Sequence, residues 1–542
     1  MLKMFDVMPR IYVKLSLLAG AAATAAMLFA APGPAFAQVT AFKQAVAEAA
    51  ARDEDIAAHY RSSDYAPIWT DANDTQRDRR AALMAAIKAA DLHGLPVARY
   101  DPQGLMNILA AARTPRDRGL AEVEMTRVFL QYARDLQTGI LIPSRIDSSM
   151  VREVPYRDRQ AYLTDFIKSD PMPFLRNLRP RTMEYNALMR EKLEMEKLLA
   201  TGGWGPVVSA STLKPGAQGA AVVSLRNRLI RMGYLKRTNG ISYDATMEAA
   251  VREFQKDHGL NTDGVAGSGT ITELNKSVET RLKSVIVAME RERWLNKERG
   301  ARHVLVNIPA FTAAIIDNGR VTFETKSVVG ATKDGRYTPE FSDTMEYIVI
   351  NPTWNVPRSI VTKEYLPSMK NNPNAAGHID LIDRSGRIVP RGAVNFSSYT
   401  EQTFPFSMRQ RPGRSNALGL VKFIFPNKYN IYLHDTPSKS LFARDMRAFS
   451  HGCVRLADPF DFAYTLLAAQ TSDPVGFFKS KLATGRETFV HLDNELPVHL
   501  IYRTAFTTPR GHTQYRADIY GRDAKIWNAL SKAGVALGAV QG

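Results

Sequence analysis

One cysteine stands in the 542 residues, Cys453, and two of the ten histidines are near it: His434 nineteen positions before and His451 two before. A thiol is a useful nucleophile as thiolate, and an imidazole within reach can take its proton. Acyl transfer suits this pairing. The sulfur attacks a carbonyl, the imidazole carries the proton, and backbone N–H groups hold the oxyanion. Gly452 removes a side chain where that carbonyl must approach. Residue chemistry leaves the base open, since either histidine would serve. A lone cysteine that only packs is the competing reading, and its neighbours favour the reactive one.

Around these residues, Tyr429-Asn430-Ile431-Tyr432-Leu433 is a β-branched and aromatic run that predicts a strand leading into His434. Asp458-Pro459 reads as an N-cap and first helical residue, with Phe460, Ala463, Tyr464 and Leu467 following at helical spacing. Cys453 is therefore expected on a short loop just before a helix. From His303 on, strands are predicted at Val304–Ile308, Phe311–Ile316, Val321–Val329, Tyr347–Asn351 and Leu420–Phe425, with a hairpin turn at Asn318-Gly319. Between Pro357 and Gly413 strand pattern is scarce, which predicts a lid or binding loop. Further strands are expected at Phe489–Leu492, Val498–Phe506 and Gln514–Tyr520.

The segments Tyr432-Leu433-His434-Asp435-Thr436-Pro437 and Ser450-His451-Gly452-Cys453-Val454-Arg455 resemble the catalytic signature of the L,D-transpeptidases, the YkuD-type cysteine enzymes of peptidoglycan. The resemblance implies Cys453 as nucleophile, His434 as base, and Asp435 as the source of the carbonyl that orients it. It places His451 and Gly452 on the oxyanion side. It implies substrate-binding roles near the cleft for Arg455, Tyr432, Trp354, Asn416, Gly419 and Ser450. It also implies a capping insertion over the donor peptide, acylation by carbapenems, and no metal or organic cofactor. The acyl-enzyme would serve equally for cross-linking, for trimming by water, or for attachment of a lipoprotein lysine. An inactive wall-binding protein is the reading from another class.

The expected organisation is multi-domain α+β. Residues 1–37 read as a signal peptide: Lys3, Arg10 and Lys14, then an apolar stretch, then Ala35-Phe36-Ala37. An uncleaved anchor is the alternative. Residues 38–205 are helical and resemble the scaffold domain of the large transpeptidases. Residues 206–280 resemble a three-helix peptidoglycan-binding module, carried by Leu-Arg-Asn-Arg-Leu, Phe-Gln-Lys-Asp-His-Gly-Leu and Asp-Gly-Val-Ala-Gly. A linking amphipathic helix at 281–300, a mainly β catalytic domain at 301–485 with its capping insertion at 357–413, and C-terminal strands and a helix at 486–542 complete the chain. Export makes the single thiol informative, because exported chains tend to pair their cysteines. The net charge of +17 suits polyanions and anionic envelope surfaces. Expected partners are stem peptides and glycan strands of the wall, with envelope membrane contact. No helix-turn-helix, zinc-finger or RNA-binding motif suggests nucleic acid, and no His-x-x-x-His pattern suggests a zinc peptidase.

Overall fold

The computed structural model describes residues 40–508 and 511–537, so the leader expected over 1–37 lies outside them. The first part is helical. Its longest helix, Pro115–Thr138, starts on a capping box of Thr114 and Asp117 with proline in the first turn, and buries Val123, Phe129, Tyr132 and Leu136. Buried Glu122 on that helix accepts from the Thr70 amide at 2.9 Å and the Tyr60 hydroxyl at 2.8 Å, tying the neighbouring chain to it.

Helices Ala220–Arg231, Ala245–Asp257 and Ser268–Leu274 form the small module around Leu225, Leu229, Val251 and Phe254. The next helix, Val278–Trp294, differs from the amphipathic linker expected of it. Leu282, Val285, Ile286 and Met289 are buried, and so are Glu290, Arg291, Glu292 and Arg293. Their charges meet partners inside the protein: Glu290 with Arg293 at 2.7 Å, Arg291 with Glu340 at 2.7 Å and with Asp523 at 3.0 Å. Residues that read as a solvated face are an internal ion-pair layer.

The remainder is built around a sheet closed on itself. In chain order its strands are β1 (Arg302–Asn307), β2 (Thr312–Asp317), β3 (Arg320–Gly330) and β4 (Phe341–Ile350). The short strands β5 (Trp354–Asn355), β6 (Asp380–Ile382), β7 (Ile388–Val389) and β8 (Ser407–Gln410) come next. Then follow β9 (Val421–Ile424), β10 (Leu433–His434), β11 (Ala448–Ser450), β12 (Val454–Leu456) and β13 (Thr488–Ile501). The main sheet runs β11-β3-β12-β10-β9-β4-β13-β1-β2, and the β2–β3 hairpin closes the ring. Asn318 and Gly319 make that hairpin turn with φ of 51° and 77°. Inward residues such as Val304, Ile315, Ile348, Phe423, Leu433 and Val454 fill the core, and the helix Pro459–Leu467 closes it with Phe462 and Leu466.

The structure corrects four local expectations. The insertion has its own fold: β5, β8, β6 and β7 pair in that order over a core of Trp354, Leu366, Met369, Leu381, Phe404 and Met408. Strands of two to four residues are too short to show alternation. The run 429–432 is a turn, not a strand. Asn427 accepts from the amides of Tyr429 and Ile431, and Asn430 is left-handed at φ 54°. The Asp458 carboxylate does not cap the following helix but accepts from the Thr325 hydroxyl at 2.7 Å. The predicted run 489–492 and the first part of 498–506 join into one bulged strand, β13, inside the main sheet between β4 and β1. Ala505–Phe506 pairs separately with Gln514–Tyr515, which is all that is strand of the predicted run 514–520.

Candidate active site

β10 ends on His434, and β12 starts just after Cys453. The two run parallel, Leu433 opposite Val454 and His434 opposite Arg455. Alternation then sorts the side chains. Leu433 and Val454 enter the core, while His434 and Arg455 share the other face. Cys453 lies two residues before Arg455, and Tyr432 two before His434. Thiol, phenol, imidazole and guanidinium are thus gathered on one side of the sheet.

His434 is buried, and its Nδ1 donates to the backbone carbonyl of its neighbour Asp435 at 2.5 Å. A carbonyl can only accept, so Nδ1 carries the proton and Nε2 keeps the basic lone pair. The Asp435 carboxylate is itself fixed. It accepts from the amides of Leu420 at 2.9 Å and Thr436 at 2.7 Å and from Lys439 Nζ at 2.7 Å. Gly419 makes room for it: φ is +61°, and a Cβ there would run into that carboxylate.

Cys453 is half-buried, with Sγ 3.5 Å from the Asn430 carbonyl. Burial pushes its thiol up to about 11, against the lowering pull of the Tyr432 amide and hydroxyl and of the Arg455 charge. His434 is pushed down to about 3 by burial and then by Arg455, against the carbonyls of Asp435 and Leu418. The resting pair is therefore thiol and neutral imidazole, not the thiolate–imidazolium pair that thiol catalysis often uses. Tyr432 packs against the core of the insertion, which holds Trp354, so the insertion reaches the thiol through one intervening side chain. The Arg455 guanidinium makes no hydrogen bond or ion pair among the described residues, and its Nε is buried without a partner.

The loop carrying the nucleophile is fastened from within and from outside. The buried Ser450 hydroxyl donates to the Cys453 carbonyl and accepts from the Gly452 amide at 3.1 Å. The Gly452 carbonyl accepts from the Thr338 hydroxyl at 2.7 Å. Gly452 has φ +119°, and a Cβ would lie 3.0 Å from Ile431. The Cys453 amide has no partner among the described residues, which leaves it available to an oxyanion.

Two residues point elsewhere. The His451 imidazole turns to the insertion, where Nε2 lies 2.6 Å from Glu364, itself 2.9 Å from Arg336. Asn416 is fully buried and spends its amide on the carbonyls of Pro352, Gln410 and Arg411, holding the end of the insertion and presenting no free group to a cleft. Thr338, Glu364 and Lys439 were missed by sequence reasoning, and only Lys439, four residues from Asp435, left a local signal. Most of the remaining histidines have structural company, for example His258 stacked on Phe254 and His499 between Arg299 and Ser342, while His378 is exposed. Among the described residues no group of three or more histidine, cysteine or acidic side chains is placed to hold a metal.

Residues 301–476 match the family described as "L,D-transpeptidase catalytic domain", 54–191 the "Scaffold domain", and 218–274 the "Putative peptidoglycan binding domain". A Haemophilus influenzae protein named "Putative L,D-transpeptidase" is 33% identical over 241 residues, 42% of this chain and 47% of that protein. The chain thus spans about half the length of that curated relative. Among solved structures, an L,D-transpeptidase of Stackebrandtia nassauensis is 16% identical over 55% of this chain and 97% of that one, with a TM-score of 0.22. One of Xylanimonas cellulosilytica is 14% identical over 55% of this chain and 100% of that one, with a TM-score of 0.18.

Proposed function

We propose that this chain, whose residues match the L,D-transpeptidase catalytic, scaffold and peptidoglycan-binding domain families, cross-links stem peptides of the wall. The observation that carries the reading is the oriented imidazole: Nδ1 tied to a backbone carbonyl, Nε2 basic, on the sheet face that also bears the only thiol. Cys453 attacks the carbonyl of the third residue of a tetrapeptide stem while His434 Nε2 takes the thiol proton. A C–S bond forms, the C–N bond to the terminal D-alanine breaks, and His434 returns the proton to the leaving amine. The side-chain amine of a second stem then forms the new amide, the C–S bond breaks, and the thiol is regained. The Cys453 amide faces the developing oxyanion.

Arg455 is suited to a donor carboxylate, because a guanidinium with no protein partner offers a two-pronged site. Its positive charge depresses His434. A carboxylate seated on it offsets that charge, so the base strengthens when substrate arrives. The leader expected over 1–37 supports a place in the cell envelope, and the match to a peptidoglycan-binding domain supports retention on the polymer.

Incubating the wild type and a Cys453→Ala variant with purified tetrapeptide stems, followed by muropeptide analysis, tests the proposal. Cross-linked dimers from the wild type alone are expected. Trimmed tripeptides alone would assign water as the acceptor, and turnover by Cys453→Ala would remove the thiol from the mechanism.

A further inference from the structure

The Gly452–Cys453 peptide unit carries both the carbonyl that Thr338 holds and the Cys453 amide, which has no partner among the described residues. In a trans peptide these two groups point in opposite directions from one rigid plane. Whatever fixes the Gly452 carbonyl therefore fixes the aim of the Cys453 N–H. The neighbouring amide, that of Gly452, is already occupied by the Ser450 hydroxyl, so it cannot stand in for the Cys453 amide.

Thr338 is built for this task. It is fully buried, and its hydroxyl accepts from the Gly330 amide at 2.9 Å, which commits its single hydrogen to Gly452 at 2.7 Å. Its backbone is held in turn: the Arg522 guanidinium donates to its carbonyl at 2.9 Å, and its amide lies 3.3 Å from the Tyr520 hydroxyl. Tyr520 also donates to the Gly330 carbonyl at 2.6 Å. The hydroxyl is thus a fixed post against which the nucleophile loop rests.

We propose that Thr338 is a positioning residue for the oxyanion. It touches no substrate and acts by orienting the 452–453 peptide so that the Cys453 N–H points at the tetrahedral intermediate. The inference rests on the acyl-transfer reading above.

Thr338→Val keeps the shape and removes the hydroxyl, while Thr338→Ser keeps the hydroxyl. An oxyanion donor works in the transition state, so its misdirection lowers kcat with little change in KM. Losing one such donor costs on the order of 100-fold. The expected result is a kcat for acylation by tetrapeptide down about 100-fold in Thr338→Val, with KM within about twofold, and near wild type in Thr338→Ser. Alkylation of Cys453 by iodoacetamide is a displacement that forms no oxyanion, and its rate should stay within about twofold in both variants. A Thr338→Val kcat within twofold of wild type would overturn the inference. So would an equal loss in alkylation, which would make the effect a displaced thiol. A wild type that fails to acylate would sink the functional reading instead.

Discussion

At the scale of single residues, the two reacting groups are set far apart. With the thiol near 11 and the imidazole near 3, both are neutral over the whole physiological range. The working form of His434 is the unprotonated base, present above about 3, and the thiol keeps its proton below about 11. Acylation kcat/KM should therefore be flat from about pH 5 to 9, without limbs near the ordinary histidine and cysteine values. Iodoacetamide, which consumes thiolate, should react with Cys453 about tenfold faster per pH unit through the same range. Stopped-flow acylation and mass-spectrometric alkylation measure the two. An alkylation rate that levels off near pH 7 would reveal a standing ion pair and contradict this assignment. Much at this scale was legible in the chain, because His434, Asp435 and Cys453 lie in two short segments. Thr338 was not. It acts on a peptide 114 residues away, and a threonine in a Tyr-Thr-Pro run has no pattern that announces such a partner.

At the scale of elements, the insertion between β4 and β9 borders the β10–β12 face. It touches the site twice, through Trp354 on Tyr432 and through Glu364 on His451. The Glu364 cluster is half-exposed, so its ionic part is worth no more than about 1 kcal/mol. Its effect is on placement. Glu364→Ala should leave the melting temperature within about 2 °C, raise KM for the donor stem several-fold, and speed alkylation of Cys453. Calorimetry, steady-state kinetics and alkylation rates check this, and an unchanged KM would show that the Trp354 contact suffices. The longer strands and the hairpin at 318–319 were readable from alternation and turn chemistry. The insertion's sheet was not, since its strands are too short to alternate. The run at 429–432 looked like a strand because residue type cannot reveal that the Asn427 side chain would take its amides.

At the scale of the whole molecule, the catalytic barrel is not an appendage. Glu340, at the edge of β4, is fully buried and pairs with Arg291 of the central helix at 2.7 Å and with Arg522 near the C-terminus at 3.1 Å. Its backbone bonds Ser149 and Val151 of the N-terminal part. One residue thus joins three separate stretches of chain. Arg522 also donates to the Thr338 carbonyl, so the same knot backs the nucleophile loop. Burial opposes the charge on Glu340, but Arg291, Arg522 and Arg152 overcome it and hold the carboxyl below its usual range. Removing that charge leaves buried guanidinium groups uncompensated, at about 3–5 kcal/mol. Glu340→Gln should therefore unfold several degrees lower and lose kcat through the loosened Thr338 post. The sign of its pH dependence follows from the lowered value. The stabilisation is complete above the unfolded carboxyl's pKa, about 4.3, and is lost as pH falls through the folded one. The gap between wild type and Glu340→Gln in chemical denaturation should be widest above about pH 5 and close on acidification. A gap independent of pH would mean that the side chain contributes by packing rather than by charge.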